Sequence, residues 1–532
     1  MKSRKNSGSF YTPQTLADFL VDYLSDKLKS KSSVSILEPS AGDGVFVKTV
    51  FKHQLLAEKI ERFVAVEKNK RELNKIIKVI KGTSFAAINS DFLDFQLNNN
   101  QKFSLVLGNP PYIKTSLLNK RQVKKCKAIH HNANLSNNNP KNIWTAFLVR
   151  CIEFTNDNGV LAFVLPSELL QVKFAAELRE LILKEFERVE IFTFNELLFK
   201  DCKGQDTILL IVERKAASKG VYYCNIDKLD DLSIKKFTLA QNVKIRESKW
   251  THHHLETDEI ELLEKIKQKI KTVNYYCNSR AGIVTAANDF FIVDTNTVNK
   301  YSLNNFVKPI IQRGIFVNGS VVLTVEEFQA LVDKSKPAYL ITLDKNSVIR
   351  KNAKLWSYLQ IGKEKMIHTR YKTSLRKNWY EIPNVGTTAE AFFFKRCYEY
   401  PKLIKNSANV LSTDSAYTIT MKENFKVENF IFSFYNSLTL SFAELNGRYY
   451  GGGVLELTPN EFKNLPVPYI NVNYEDFNSF VIDFRNKTSI KDVSRKNDIR
   501  ILKSIDKSLD SDSIEKLFNI REKLYLRRIK TN

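Results

Sequence analysis

Leu16, Phe19, Leu20, Tyr23, Leu24 and Leu28 recur at close to a 3.6-residue spacing, so residues 14–29 read as an amphipathic helix. Short β-rich runs follow at 34–37, 63–66, 103–107, 160–165, 189–194 and 207–213, and helical patterns such as 69–81 and 143–155 separate most of them. Such alternation predicts an open, largely parallel α/β sheet. Ligands of that architecture sit outside the carboxyl ends of the strands, so chemistry is to be sought just after each strand. The strand pattern stops near 245–255, at the polar stretch KWTHHHLETDE. A helix at 258–271 then leads into mixed short strands and loops to about 470, and 474–532 reads as helices with interspersed charge. Three regions are therefore expected: 1–245, 246–473 and 474–532.

Composition narrows the class. The 532 residues suffice for roughly two to four domains. With 43% apolar and 26% charged residues, disorder is excluded. No apolar run approaches the ~18 residues of a membrane span, and the basic start MKSRKNSGSFYTP lacks the apolar stretch of a signal peptide. Six cysteines (Cys126, Cys151, Cys202, Cys224, Cys277 and Cys397) stand singly, as reduced thiols of a cytoplasmic protein do. His252 to His254 form the one run of three histidines and read as a polar linker rather than a metal site.

Charge points to a partner. Lys and Arg number 82 against 58 Asp and Glu, a net charge of +24. Residues 101–150 contain nine basic and no acidic side chains, and 351–400 contain ten and four. An excess of this size favours a polyanion, most commonly nucleic acid, over a merely soluble lysine-rich surface.

Four segments carry candidate chemistry. Glu38-Pro39-Ser40-Ala41-Gly42-Asp43-Gly44 follows the first strand, where two glycines and Ala41 allow a tight turn and close backbone approach to a ligand. A plain strand-to-helix turn is the alternative, and without a Lys-Ser/Thr ending the loop is no P-loop. Glu67 ends the second strand, where a carboxylate accepts both ribose hydroxyls of an adenosine-type cofactor or simply meets solvent. Asp91-Phe92 sets a carboxylate beside an apolar ring, suited to the amino group and face of an adenine, or to an Asx turn. Asn109-Pro110-Pro111-Tyr112 follows the strand FSLVLG. Its two prolines stiffen the loop. The side-chain oxygen of Asn109 and the carbonyl of Pro110 can accept both hydrogens of an exocyclic amine, and Tyr112 offers a flat stacking face.

These residues resemble the adenine-N6 DNA methyltransferases of type II restriction–modification systems, in the gamma class that orders cofactor motifs, catalytic tetrapeptide and target-recognition domain. Phe10-Tyr11-Thr12-Pro13 is similar to that family's N-terminal cofactor motif. Glu38, Ser40, Ala41, Gly42 and Gly44 match its S-adenosylmethionine loop, Glu67 its ribose acid, Asp91-Phe92 its adenine-contacting pair and Asn109 to Tyr112 its catalytic tetrapeptide. The stretch Asn158 to Ser167 resembles the next sheet strand, and Phe199 stands where some members place a second ring against the target base. Segments Gly282 to Asn288, Tyr371 to Tyr380, Tyr449 to Gly453 and Asn464 to Pro468 resemble recognition-domain segments.

The resemblance implies a Rossmann-like, mostly parallel methyltransferase domain and a mixed α+β target-recognition domain. It also implies methyl transfer from S-adenosylmethionine to N6 of an adenine flipped out of double-stranded DNA. Tyr11 and Thr12 join the cofactor-binding set, Asn109, Pro110 and Tyr112 form the catalytic set, and Tyr112 and Phe199 stack on the base. No metal or membrane is implied. The enzyme is expected as a monomer in the bacterial cytoplasm and as a stand-alone modification enzyme that leaves room for a separate cognate endonuclease, since no Asp…Glu-x-Lys cluster indicates a fused one. None of the 13 prolines is followed by Cys, unlike the cytosine-C5 methylases. Enzymes acting on RNA bases or on a protein glutamine amide share the tetrapeptide, and a DNA-binding specificity subunit with an inactive methylase is a further alternative.

The basic windows acquire places in this scheme. Residues 113–141 read as a long acid-free loop in which Lys120, Arg121, Lys124, Lys125 and Lys127 follow phosphates and become ordered on DNA. Arg370, Lys372, Arg376 and Lys377 mix with Trp379 and Tyr380 as a second nucleic-acid surface.

Overall fold

The computed structural model describes residues 12–97, 101–136, 140–196, 198–199, 206–233, 237–242, 249–251, 255–317, 319–343, 352–450 and 453–529. Two compact units divide the chain. One comprises Met1–Thr257 with Tyr450–Gly453 and Ile529–Asn532; the other comprises Asp258–Tyr449 and Val454–Arg528.

The first unit is built on nine strands: β1 (Val34–Glu38), β2 (Ile60–Glu67), β3 (Phe85–Asn89), β4 (Phe103–Gly108), β5 (Thr155–Pro166), β6 (Arg188–Phe194), β7 (Thr207–Glu213), β8 (Gly220–Ile226) and β9 (Ala240–Asn242). Their order across the sheet is β3-β2-β1-β4-β5-β7-β6-β8-β9. Strands β1 to β5 pair in parallel, with Leu37 level with Val64 on one side and Val106 on the other. β7 runs antiparallel between β5 and β6, so the sheet is mostly parallel, as expected. All six residues of β4 are buried, which is why FSLVLG reads as a continuous apolar run rather than an alternating one. The chain leaves β1 toward β3 and then returns to lay β4 along the other side of β1. The strand order thus reverses between β1 and β4, and such a reversal is where the ligand crevice of an open α/β sheet is expected, at the carboxyl ends of the strands.

The helix Gln14–Lys27 buries Leu16, Phe19, Leu20 and Leu24 on the face its spacing predicts. Lys27 fixes its far end with ion pairs to Glu190 of β6 (2.9 Å) and Glu213 of β7 (2.7 Å). That anchoring carries the preceding residues, Thr12 and Pro13, to the crevice. Helices Lys70–Val79 and Ile143–Phe154 form where the pattern predicts them.

The expected loop at 113–141 is corrected: it contains a 3-10 turn, Thr115–Leu117, and a helix, Lys120–Asn132. Asn119 caps that helix by accepting from the Gln122 N–H, and Cys126 and His130 are its buried residues. The inward stripe is too narrow to stand out from the surrounding lysines. The missing acid comes from elsewhere, since Asp94 pairs with Arg121 (2.8 Å) and Lys125. These counter-charges let a basic segment fold without DNA.

The second unit contains a five-stranded sheet, in the order Cys277–Ala281, Ala416–Met421, Ala391–Phe394, Lys402–Asn406 and Val322–Leu323. A four-stranded sheet orders Ile292–Val293, Tyr339–Ile341, Val307–Ile311 and Leu411–Ser412. Residues beyond 473 form helices Tyr474–Arg485, Ile490–Ile505 and Ser511–Arg528 within this unit. The last of them packs on helix Ser437–Asn446, where fully buried Arg528 makes a two-pronged bond to Glu444 at 2.7 and 2.8 Å. Among the described residues, no helix is long and apolar enough to cross a membrane.

Candidate active site

The loop after β1 turns through two left-handed glycines, Gly42 (φ 54°) and Gly44 (φ 80°), before helix Val45–Lys52 begins. A Cβ on Gly44 would lie 2.6 Å from Ile76 Cγ1, so backbone conformation and packing both demand glycine there. Glu67, at the end of β2, shapes the loop: one carboxylate oxygen accepts from the Gly42 N–H (2.8 Å) and the other from the Asn69 N–H (2.6 Å). The Ala41 N–H donates to the Val66 carbonyl, and the loop is thereby sewn to the neighbouring strand.

Glu38 is 1% exposed, and its Oε2 has no hydrogen-bond partner among the described residues. Burial pushes its carboxyl well above the usual range, and the nearby charges of Asp43 and Glu67 push it further, against one bond from the Val47 N–H. Three carboxylates around one glycine turn make the crevice a seat for a cation or for hydroxyl donors.

Asn109 leaves β4 directly beside this loop. Its backbone carbonyl accepts from the Ser40 hydroxyl at 3.1 Å, and its Nδ2 donates to Thr12 Oγ1 at 3.3 Å. The second contact makes Nδ2 the donor and so assigns Oδ1 as the acceptor of the amide. Thus Thr12, Ser40 and Asn109, from three distant parts of the chain, meet in one place. Tyr11 lies outside the described residues.

Several expected roles are corrected by burial. Phe92 is 2% exposed and packs against Phe95, Phe147 and Phe154, so its ring offers no face to an adenine. Asp91 makes the Asx turn, accepting from the Leu93 N–H with one oxygen. Its other oxygen accepts from Lys68 (2.9 Å) and Gln122 (2.8 Å). Burial opposes ionisation of Asp91, but these bonds prevail and hold its carboxyl below the usual range. Tyr112 and Phe199 are 8% and 6% exposed. The Tyr112 hydroxyl donates to the Val164 carbonyl of β5 at 2.9 Å, which fixes the ring, and burial pushes the phenol well up.

The basic side chains separate as well. Lys120, Lys124 and Lys127 are exposed on their helix, whereas Arg121 and Lys125 are engaged with Asp94. In the second unit Arg370, Lys372 and Lys377 are exposed. Arg376 turns inward instead, donating to the carbonyls of Thr285 (2.7 Å), Val284 (3.3 Å) and Trp379 (3.2 Å), which corrects its expected place on a nucleic-acid surface. Sequence reasoning missed Lys68 and Gln122 as partners of Asp91. Lys68 next to Glu67 was the available signal; nothing local marks Gln122.

A family model described as the Eco57I restriction-modification methylase matches residues 28–199, and one described as the C-terminal domain of the type II methyltransferase M.Eco57I matches 247–502. The chain is 22% identical to the type II methyltransferase M.AccI of Acinetobacter calcoaceticus, over 97% of this chain and 95% of that protein. It is 27% identical to the modification methylase CviBIII of Paramecium bursaria Chlorella virus NC1A, over 42% of this chain and 53% of that protein. A solved structure of the type IIL restriction-modification enzyme MmeI in complex with DNA shares the fold, with a TM-score of 0.65 and 14% identity over 98% of this chain and 80% of that one.

Proposed function

From the premise that this chain belongs to the Eco57I-type methylases of type II restriction–modification systems, we propose that it methylates N6 of adenine in double-stranded DNA. The donor is S-adenosylmethionine and the adenine is flipped out of the helix. The observation that carries the reading is the convergence of Ser40, Thr12 and Asn109 at the reversal of strand order between β1 and β4.

The residues fit the cofactor. S-adenosylmethionine, when bound, supplies an electrophilic methyl group on a cationic sulfonium centre. Buried Glu38, with Oε2 unpartnered, suits a ligand bearing positive charge and hydrogen-bond donors, and Asp43 and Glu67 add to the negative field. Gly42 and Gly44 keep the loop free of side chains, so backbone can lie against the ligand.

The chain's own part in the chemistry is electrostatic. The N6 lone pair of adenine is delocalised into the ring, which makes it a weak nucleophile. Asn109 Oδ1 and the Pro110 carbonyl accept the two N6 hydrogens and draw that lone pair toward the donor as charge develops. Thr12 and Ser40 hold Asn109 in the accepting orientation, so little reorganisation accompanies the reaction. Tyr112, locked to Val164, serves as a rigid aromatic floor rather than a mobile clamp. Lys120, Lys124 and Lys127 bind phosphates, and the second unit selects the site, so that host DNA in the bacterial cytoplasm is protected from a cognate endonuclease.

Incubation with radiolabelled S-adenosylmethionine and DNA, tRNA, rRNA or protein tests the proposal. Label is expected in DNA, released on digestion as N6-methyladenosine's deoxy form. Label in RNA or protein, or as a methylated cytosine, overturns it.

A further inference from the structure

The second unit contains a cleft of about 670 Å³ walled by the segment 284–289, by Gln312 and Arg313, and by Asp414 and Ser415, with Arg370 and Lys372 also lining it. Its walls are built rigidly. Gly282 sits where a Cβ would collide with the backbone of Ser412 and Thr413. The Ile283 N–H donates to the Ser412 carbonyl, and the Asp414 N–H donates back to the Ile283 carbonyl. Ala286 holds a left-handed φ of 67°, a strained conformation for a residue with a side chain. Inward-turned Arg376 pins the carbonyls on either side of the 284–285 bond. Across the cleft, the Gln312 carbonyl accepts from the hydroxyls of Thr413 (2.9 Å) and Ser415 (2.7 Å), which fixes the strand end that presents Gln312 and Arg313.

Against this rigid frame, the side chains of Gln312, Arg313 and Asp414 have no hydrogen-bond or ion-pair partner among the described residues. Arg370, by contrast, faces Asp289 at 3.6 Å. A carboxamide, a guanidinium and a carboxylate lining one cleft form a mixed set of donors and acceptors. A purely phosphate-binding surface would carry cations alone. This mixture is what base edges in the major groove call for: a guanidinium pairs with guanine O6 and N7, a carboxamide with adenine N6 and N7, and a carboxylate with the amino group of cytosine.

We propose that Gln312, Arg313 and Asp414 read base edges of the target DNA, while Arg370 and Lys372 grip its backbone. This rests on the DNA-methyltransferase reading above and adds to it the residues that choose the sequence. Contacts of the first kind set the motif; contacts of the second hold any sequence alike.

The test uses the full chain expressed in a host without adenine methylation, followed by genome sequencing for N6-methyladenine. Gln312→Ala, Arg313→Ala, Arg313→Lys and Asp414→Ala are compared with wild type. At least one is expected to relax the motif at a single base position, or to lower methylation of the correct site by about 5- to 150-fold. Affinity for unrelated DNA and the melting temperature should stay at wild-type values. Arg313→Lys keeps the charge and loses the fork, so an altered motif in that variant reports base reading and not folding. Arg370→Ala with Lys372→Ala should weaken binding to all sequences and leave the motif intact. Wild-type motif and occupancy in all four single variants overturn the cleft assignment alone. Absence of N6-methyladenine with the wild-type chain overturns the methyltransferase reading, and the cleft assignment with it.

Discussion

The hydroxyl of Ser40 donates to the backbone carbonyl of Asn109 across 3.1 Å, joining the turn after β1 to the residue that leaves β4. The turn after β1 and the tetrapeptide Asn109 to Tyr112 are therefore one mechanical piece, and Thr12 braces the same asparagine from the other side at 3.3 Å.

Asn109→Ala removes the side-chain acceptor and should lower the rate of transfer to DNA by roughly 10²–10³-fold or more. S-adenosylmethionine affinity, measured by calorimetry, should change little. Ser40→Ala and Thr12→Val each delete one neutral hydrogen bond, about 0.5–1.5 kcal/mol, so each should slow transfer by up to about tenfold. Wild-type turnover by Asn109→Ala would contradict the assigned chemistry.

Glu38 gives the site a pH dependence. Its carboxyl is raised by burial and by Asp43 and Glu67, so the folded chain stays protonated there above the ordinary carboxylate range. The sign follows from linkage: in that window the folded state binds more protons than the unfolded, and stability falls as pH rises. A cationic ligand favours the ionised form, so its binding releases a proton. S-adenosylmethionine affinity should accordingly increase with pH through this titration, and calorimetry in buffers of differing ionisation enthalpy should detect the proton. Glu38→Gln should flatten both trends.

Gly44→Ala combines a left-handed φ of 80° with a 2.6 Å clash against Ile76. Together these should destabilise the first unit by about 2–4 kcal/mol. Adding Ile76→Ala, which removes both Cγ1 and Cδ1, makes room for the methyl group but leaves the dihedral penalty, so relative to Ile76→Ala alone the melting temperature should recover only in part. Full recovery would mean that packing alone selects glycine here.

Replacing Lys120, Lys124 and Lys127 with Ala should weaken DNA binding and make its salt dependence shallower by about two to three in the log–log slope. The same change at Arg121 and Lys125 should act chiefly on the helix, whose pairing with Asp94 it removes. Titrations at several salt concentrations separate the two outcomes.

Much of the first unit is legible in the sequence because its central strands are buried on both faces: β4 and β5 read as apolar runs, and the motifs at the carboxyl ends of β1 and β4 mark Glu38 and Asn109. Edge strand β3 escapes, since half-exposed FAAIN carries little apolar signal. The Lys120–Asn132 helix escapes because its counter-charge, Asp94, is remote from it in sequence. Phe92 misleads for a related reason. An aromatic beside a motif can serve a ligand or the core, and only the packing of residues such as Phe147 and Phe154 decides between them. Arg376 is likewise a cation whose partners are backbone carbonyls, which residue type cannot announce.

The buried pairing of Arg528 with Glu444 has a consequence for biosynthesis. Glu444 occupies a closed site in the second unit, and a buried carboxylate without its cation costs about 3–5 kcal/mol. A nascent chain that has not yet exposed residue 528 outside the ribosome must leave that acid wet or protonated. Closure of the packing around Glu444 is therefore favoured only once residue 528 is available to pair with it.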